Sequence, residues 1–90
     1  MQQAILGKWL ELRSEQPEST LQFLADGRMV SVDRGTLVAK YVFVADHRIK
    51  VTRNRSGAPS QWVVLQIWIE KGVLILKYPG GRIEQYRRLS

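Results

Sequence analysis

Leu21-Gln22-Phe23-Leu24-Ala25-Asp26-Gly27-Arg28-Met29-Val30-Ser31-Val32 is the stretch that decides the fold. Leu21 and Phe23 alternate about Gln22, Val30 and Val32 about Ser31, and an Asp-Gly pair lies between the two runs. Asp-Gly supplies the backbone freedom that a tight hairpin needs, so such a pair between alternating runs marks a hairpin. Counted across a two-residue turn, Phe23 faces Val30 and Leu21 faces Val32, which puts both valines on the inner face. The same pattern repeats in both directions, giving eight short β-patterned segments from Gly7-Lys8-Trp9 to Tyr86-Arg87-Arg88, with almost no helix-length period among them. A chain that only runs up and down hides its edges by closing on itself. The expected fold is all-β: one domain, residues 1–90, forming a small antiparallel up-and-down (meander) β-barrel of about eight strands.

The next turn falls near Arg34-Gly35 and pairs Val32 with Leu37 and Val30 with Ala39. Leu37, Ala39, Tyr41 and Phe43 then share the inner face. To keep Ile49 and Val51 inside with them, the turn at Ala45-Asp46-His47 must have an odd count, since a one-residue slip flips every side chain. Lys40, Arg48, Lys50 and Thr52 then point to water. The run from Arg53 to Gln61 reads as the longest loop, and residues 2–7 as a lead-in. Across the Lys71-Gly72 turn, Val63, Leu65, Ile67, Ile69, Leu74, Leu76 and Tyr78 lie on one face. The other face carries Trp62, Val64, Trp68, Val73 and Ile75 with Gln66 and Lys77, far more apolar than a solvated sheet surface. Pro79-Gly80-Gly81 makes the last turn.

Composition narrows the function classes. Lys and Arg total 14 against 8 acids, for a net charge of +6, which favours anionic partners. The basic residues are spread singly except for Arg48, Lys50, Arg53 and Arg55. There is no cysteine, so no disulfide and no thiolate metal site, and the single histidine leaves metal chemistry almost without ligands. That histidine, His47, sits in a turn beside Asp46, and the acids are scattered singly, so neither a nucleophile-and-base pair nor a carboxylate pair is in view. A non-enzymatic protein without cofactor or metal is expected. No apolar run reaches the length of a membrane span or a signal peptide, which points to the cytoplasm and away from membranes.

Gly7-Lys8-Trp9, the Tyr41-x-Phe43 and Ile49-x-Val51 pattern and the basic end of the final strand resemble the lipocalin-like branch of the calycin superfamily, in particular its short bacterial domains. The resemblance implies a barrel in which Trp9 lies at a closed end beneath a cation from the last strand. Arg88 takes that role if the Pro-Gly-Gly turn has an odd count, Arg87 if it is even. Such a pair is a structural closure and not a ligand site.

Three kinds of partner remain. Inward groups as large as Phe23, Tyr41, Phe43, Leu65 and Tyr78 fill a barrel of this width, so a packed core is expected, with at most a small apolar or amphipathic ligand cupped at a mouth formed by Tyr41, Phe43 and Tyr78. The apolar outer face of Trp62, Val64, Trp68, Val73 and Ile75 suits a homodimer interface. Single-stranded nucleic acid is the alternative, through Arg48, Lys50, Arg53 and Arg55 with Trp62 or Trp68 as a stacking platform. A non-catalytic module for self-association or weak small-ligand binding is the reading these residues give.

Overall fold

A computed structural model of the protein describes residues 3–12, 19–32, 35–53 and 61–89. Its eight strands are β1 (Gly7–Glu11), β2 (Thr20–Phe23), β3 (Arg28–Val32), β4 (Thr36–Ala45), β5 (Arg48–Arg53), β6 (Gln61–Glu70), β7 (Val73–Lys77) and β8 (Ile83–Arg88). Each strand pairs antiparallel with the next, and β8 returns to β1 through Trp9 opposite Arg88 and Glu11 opposite Tyr86, which closes the barrel. Each strand thus has a neighbour on both sides, although the longer β4 and β6 run past β3 and β7. Among the described residues no helix is long and apolar enough to cross a membrane.

Turn chemistry sets which side chains face in. The turn after β2 has three residues, Ala25, Asp26 and Gly27: Leu24 N–H donates to Arg28 O at 2.9 Å, and Gly27 N–H donates to Leu24 O at 3.2 Å. The Asp26 carboxylate accepts from the Arg28 backbone N–H at 3.1 Å and from Arg28 Nε at 2.7 Å, and Gly27 takes φ +90° to complete the bulge. The extra residue moves the register by one. Phe23 faces Met29 and Leu21 faces Ser31, so Val30 and Val32 lie outside, not inside as a two-residue turn implies. The expected pairing of Val32 with Leu37 and of Val30 with Ala39 is corrected in the same way: Ser31 faces Leu37 and Met29 faces Ala39. The two slips cancel, and Leu37, Ala39, Tyr41 and Phe43 keep the inner face.

At the next turn Tyr41 does face Val51 and Phe43 faces Ile49. The odd count comes from an irregularity at Val44, between Phe43 and Ala45, and Ala45 then closes the Asp46-His47 turn opposite Arg48. The Lys71-Gly72 turn places Glu70 opposite Val73 with φ +52° and +81° at its two residues, the primed geometry that fits strand twist. Tyr78 N–H donates to Arg82 O at 2.8 Å across Pro79-Gly80-Gly81, so the last turn is odd. The loop expected between Arg53 and Gln61 falls on residues 54–60, outside the described residues.

The two ends of the barrel differ. At one end, residues 3–6 make a single turn, Leu6 N–H to Gln3 O at 3.2 Å, that sets the fully buried Ile5 beneath Trp9, Phe23, Ile49 and Ile67. Short turns join β2 to β3, β4 to β5 and β6 to β7 here. At the other end lie Glu11, Thr20, Ser31, Arg53, Tyr78 and Arg82.

Candidate ligand cavity

The open half of the barrel contains a cavity of about 370 Å³. The expectation of a filled interior is thus overturned for half of the barrel. Large inward groups collect at the plugged end, while Ser31 on β3 and Ser19 ahead of β2 leave room near the mouth. Leu21, Met29, Val51, Val63, Leu65 and Leu76 form the apolar wall, and the polar wall comes from β8 and the strand ends beside it.

Glu84 is the centre of that polar wall. The odd Pro-Gly-Gly turn puts it on the inner face opposite Leu76, with its side chain 15% exposed. Its Oε1 accepts two hydrogen bonds, from the Tyr78 hydroxyl at 2.8 Å and from the Tyr86 hydroxyl at 3.0 Å. Burial pushes the pKa of both phenols well above the usual tyrosine range, and the adjacent Glu84 charge adds to the shift. Both hydroxyls therefore stay protonated and donating. Arg82 stands at the rim, its guanidinium 4.2 Å from the Tyr78 ring centre and Nη2 3.9 Å from Glu84 Oε2, a loose contact from a side chain 61% exposed. Glu11 lines the cavity from β1 and Arg53 from the end of β5.

The residues expected at the mouth are separated. Tyr78 lines the cavity, but Tyr41 and Phe43 lie toward the plugged end. Tyr41 packs edge-on against Phe23 at 5.1 Å and donates its hydroxyl to Leu24 O at 2.8 Å, and Phe43 stands 6.4 Å from its ring. The basic stretch is divided as well. Arg48 and Lys50 face outward, Arg53 faces the cavity, and Arg55 lies outside the described residues. Lys50 Nζ sits 4.8 Å over the Trp62 ring. Of the apolar outer face, Trp62 is 62% exposed, Val64, Trp68 and Val73 are half-buried, and Ile75, opposite Trp68, is 9% exposed. His47 ties the β4–β5 turn to β6: its carbonyl accepts from Ile67 N–H at 2.9 Å, and its Nδ1 lies 3.2 Å from Ile67 O.

At the plugged end the Arg88 guanidinium is 4.3 Å from the Trp9 ring centre. It donates to Leu6 O at 2.8 Å and to Ala4 O, while Trp9 Nε1 donates to Ile5 O at 2.9 Å. One cation thus ties the last strand, the indole and the N-terminal turn together. Among the described residues no three His, Asp or Glu side chains gather closely enough to hold a metal ion.

Compared with known protein families, with curated proteins and with solved structures, the chain matches none. Sequence reasoning missed Glu84, Tyr86, Arg82, Glu11 and Ser31. The signal for Glu84 was present, because the odd last turn that selects Arg88 over Arg87 also turns Glu84 and Tyr86 inward.

Proposed function

We propose that this protein is a non-catalytic, lipocalin-like barrel of the cytoplasm that takes one small amphipathic molecule into its open half. The observation that carries the reading is the cavity of about 370 Å³ with one apolar and one polar wall. Ligand pockets of roughly 300 Å³ and above are built in this way, apolar for affinity with a few fixed polar groups for orientation. The plugged end supports the same reading, since a barrel stopped at one end holds a molecule where an open tube passes it through. Titration with a fluorescent apolar probe tests it. Saturable binding at one probe per barrel, abolished by Ser31→Phe at the cavity wall, is the expected result. Binding without saturation, or binding indifferent to Ser31→Phe, would remove the cavity from the function.

A second reading, self-association, is favoured by the outer surface. Val38, Val42 and Val44 on β4 and Trp62 on β6 are each more than half exposed, and Val42, Lys50 and Val64 lie side by side across three strands. A homodimer would bury this strip. Because Trp68 and Ile75 are already partly covered, Trp62→Glu should dissociate the dimer more fully than Trp68→Glu, as read by sedimentation velocity. A wild-type monomer at high concentration counts against it.

A further inference from the structure

The polar wall of the cavity is one-sided in its hydrogen-bonding capacity. A tyrosine hydroxyl has one proton to give, and Tyr78 and Tyr86 both give theirs to Glu84 Oε1. What these three side chains retain is acceptor capacity: the lone pairs of the Tyr86 oxygen, what Arg82 leaves of the Tyr78 oxygen, and Glu84 Oε2. Arg82 does not satisfy Oε2, because 3.9 Å is beyond hydrogen-bond length and the guanidinium is spread over the Tyr78 ring at the rim. Among the described residues no buried side-chain nitrogen or oxygen lacks a partner, so solvent reaches Glu84 Oε2; a ligand that displaces this water must replace it with a donor, and a charged donor does so best.

We infer that the ligand enters with a protonated amine leading, its N–H groups donating to Glu84 Oε2 and the tyrosine oxygens while its apolar body lies against Leu21, Val51, Leu65 and Leu76. This rests on the reading that the cavity binds a small molecule, and it adds the chemical class. A carboxylate head in the same place meets acceptors and negative charge, and is left with Arg53 and Arg82 at the rim. An alcohol head has one proton where the wall offers several acceptors.

Hexylamine, hexanol and hexanoate share one chain and differ only in the head, so they test the inference directly. Each is titrated by NMR chemical-shift perturbation into wild type, Glu84→Gln, Arg82→Gln and Ser31→Phe. Hexylamine is expected to bind about tenfold more tightly than hexanol, as one charge-assisted hydrogen bond in place of a neutral one allows. Glu84→Gln should remove about that factor for the amine and leave hexanol nearly unchanged. Arg82→Gln, at an exposed rim position, gives up the contact with the Tyr78 ring and should strengthen the amine by removing a competing cation. Hexanoate binding most tightly, and weakening in Arg82→Gln, would overturn the amine and leave the cavity standing. Equal affinity for all three heads, or an amine indifferent to both charge variants, would do the same. If no head group binds, or if Ser31→Phe blocks nothing, the cavity reading fails together with the amine.

Discussion

The two ends of this barrel are made from the same strands and have opposite characters. At the plugged end Ile5, Trp9, Phe23, Ile49 and Ile67 pack without access to water, and Arg88 is used in holding the N-terminal turn shut. At the open end the inward positions pass to Ser31, Glu11, Tyr78, Arg82 and Glu84, and a cavity remains. A barrel of this size buries too little surface to leave both halves open. The difference teaches that stability is concentrated at one end so that the other can give up packing for a polar, accessible interior.

The largest expected effect breaks the plugged end. Trp9→Ala removes a buried indole and its hydrogen bond to Ile5, and should cost about 3–5 kcal/mol, enough to unfold much of a small domain. Ser31→Phe, at the same depth of argument but in the open half, should change stability by less than about 1 kcal/mol, because it fills space and displaces no packed atom. Urea unfolding of the pair measures the contrast directly. Equal losses would mean that the two ends share the core evenly.

Next in size is the closure itself. Arg88→Ala loses the contact with the Trp9 face and the hydrogen bonds to Ala4 and Leu6, together about 2 kcal/mol at a partly solvated site. Arg88→Lys keeps a charge over the ring but not the planar fork, and should recover about half of that loss. The denaturation midpoints of the three proteins should therefore fall in the order Arg, Lys, Ala. A lysine variant as stable as wild type would show that charge alone matters.

Alkaline pH should sharpen the comparison from the other side. The Tyr78 and Tyr86 phenols have native pKa values raised above their ordinary 10.0, through burial first and the Glu84 charge second. The native state thus holds these protons more tightly than the unfolded chain does. Their contribution is fully present below about pH 10 and is lost as pH climbs through the raised values. Tyr41, at the plugged end, is also raised, by burial first and the Asp26 charge second, but its hydroxyl donates to the Leu24 carbonyl and not to a carboxylate. Thermal midpoints followed from pH 8 to 11.5 should fall steeply in wild type, clearly less in Tyr78→Phe/Tyr86→Phe, and almost as in wild type for Tyr41→Phe.

How much of this was legible depends on what fixed each position. Alternation alone gave the all-β meander and its closure, since apolar period and turn residues are local properties. Register was harder because it depends on turn count. Asp26-Gly27 reads as a two-residue turn, and the third residue shows only in the bond from Leu24 N–H to Arg28 O, supported by the Arg28 amide donating to the Asp26 carboxylate. That error exchanged Met29 and Ser31 for Val30 and Val32 on β3, and a second error cancelled it before β4. The cavity was hidden by the same slip, since an inward Val30 and Val32 would help fill the space that Met29 and Ser31 leave open. Tyr41 and Tyr78 both face inward, but parity says nothing about height along the barrel. Only the direction of each strand places one at each end.

The smallest effect concerns a turn at the plugged end. Lys71 holds φ +52° ahead of Gly72 at +81°, a left-handed pair in which only the second residue escapes the Cβ penalty. Asparagine tolerates that conformation better than lysine because its short side chain bonds locally, and Asn-Gly is the preferred pair for this turn. Lys71→Asn should therefore stabilise the fold by about 0.5 kcal/mol. Lys71 is exposed and far along β6 from the cavity wall, so probe affinity should not move. A gain in stability with constant affinity would confirm that the two ends can be adjusted separately. A change in affinity would instead show that strain in the β6–β7 turn is transmitted along these strands to Val63 and Leu76 at the cavity.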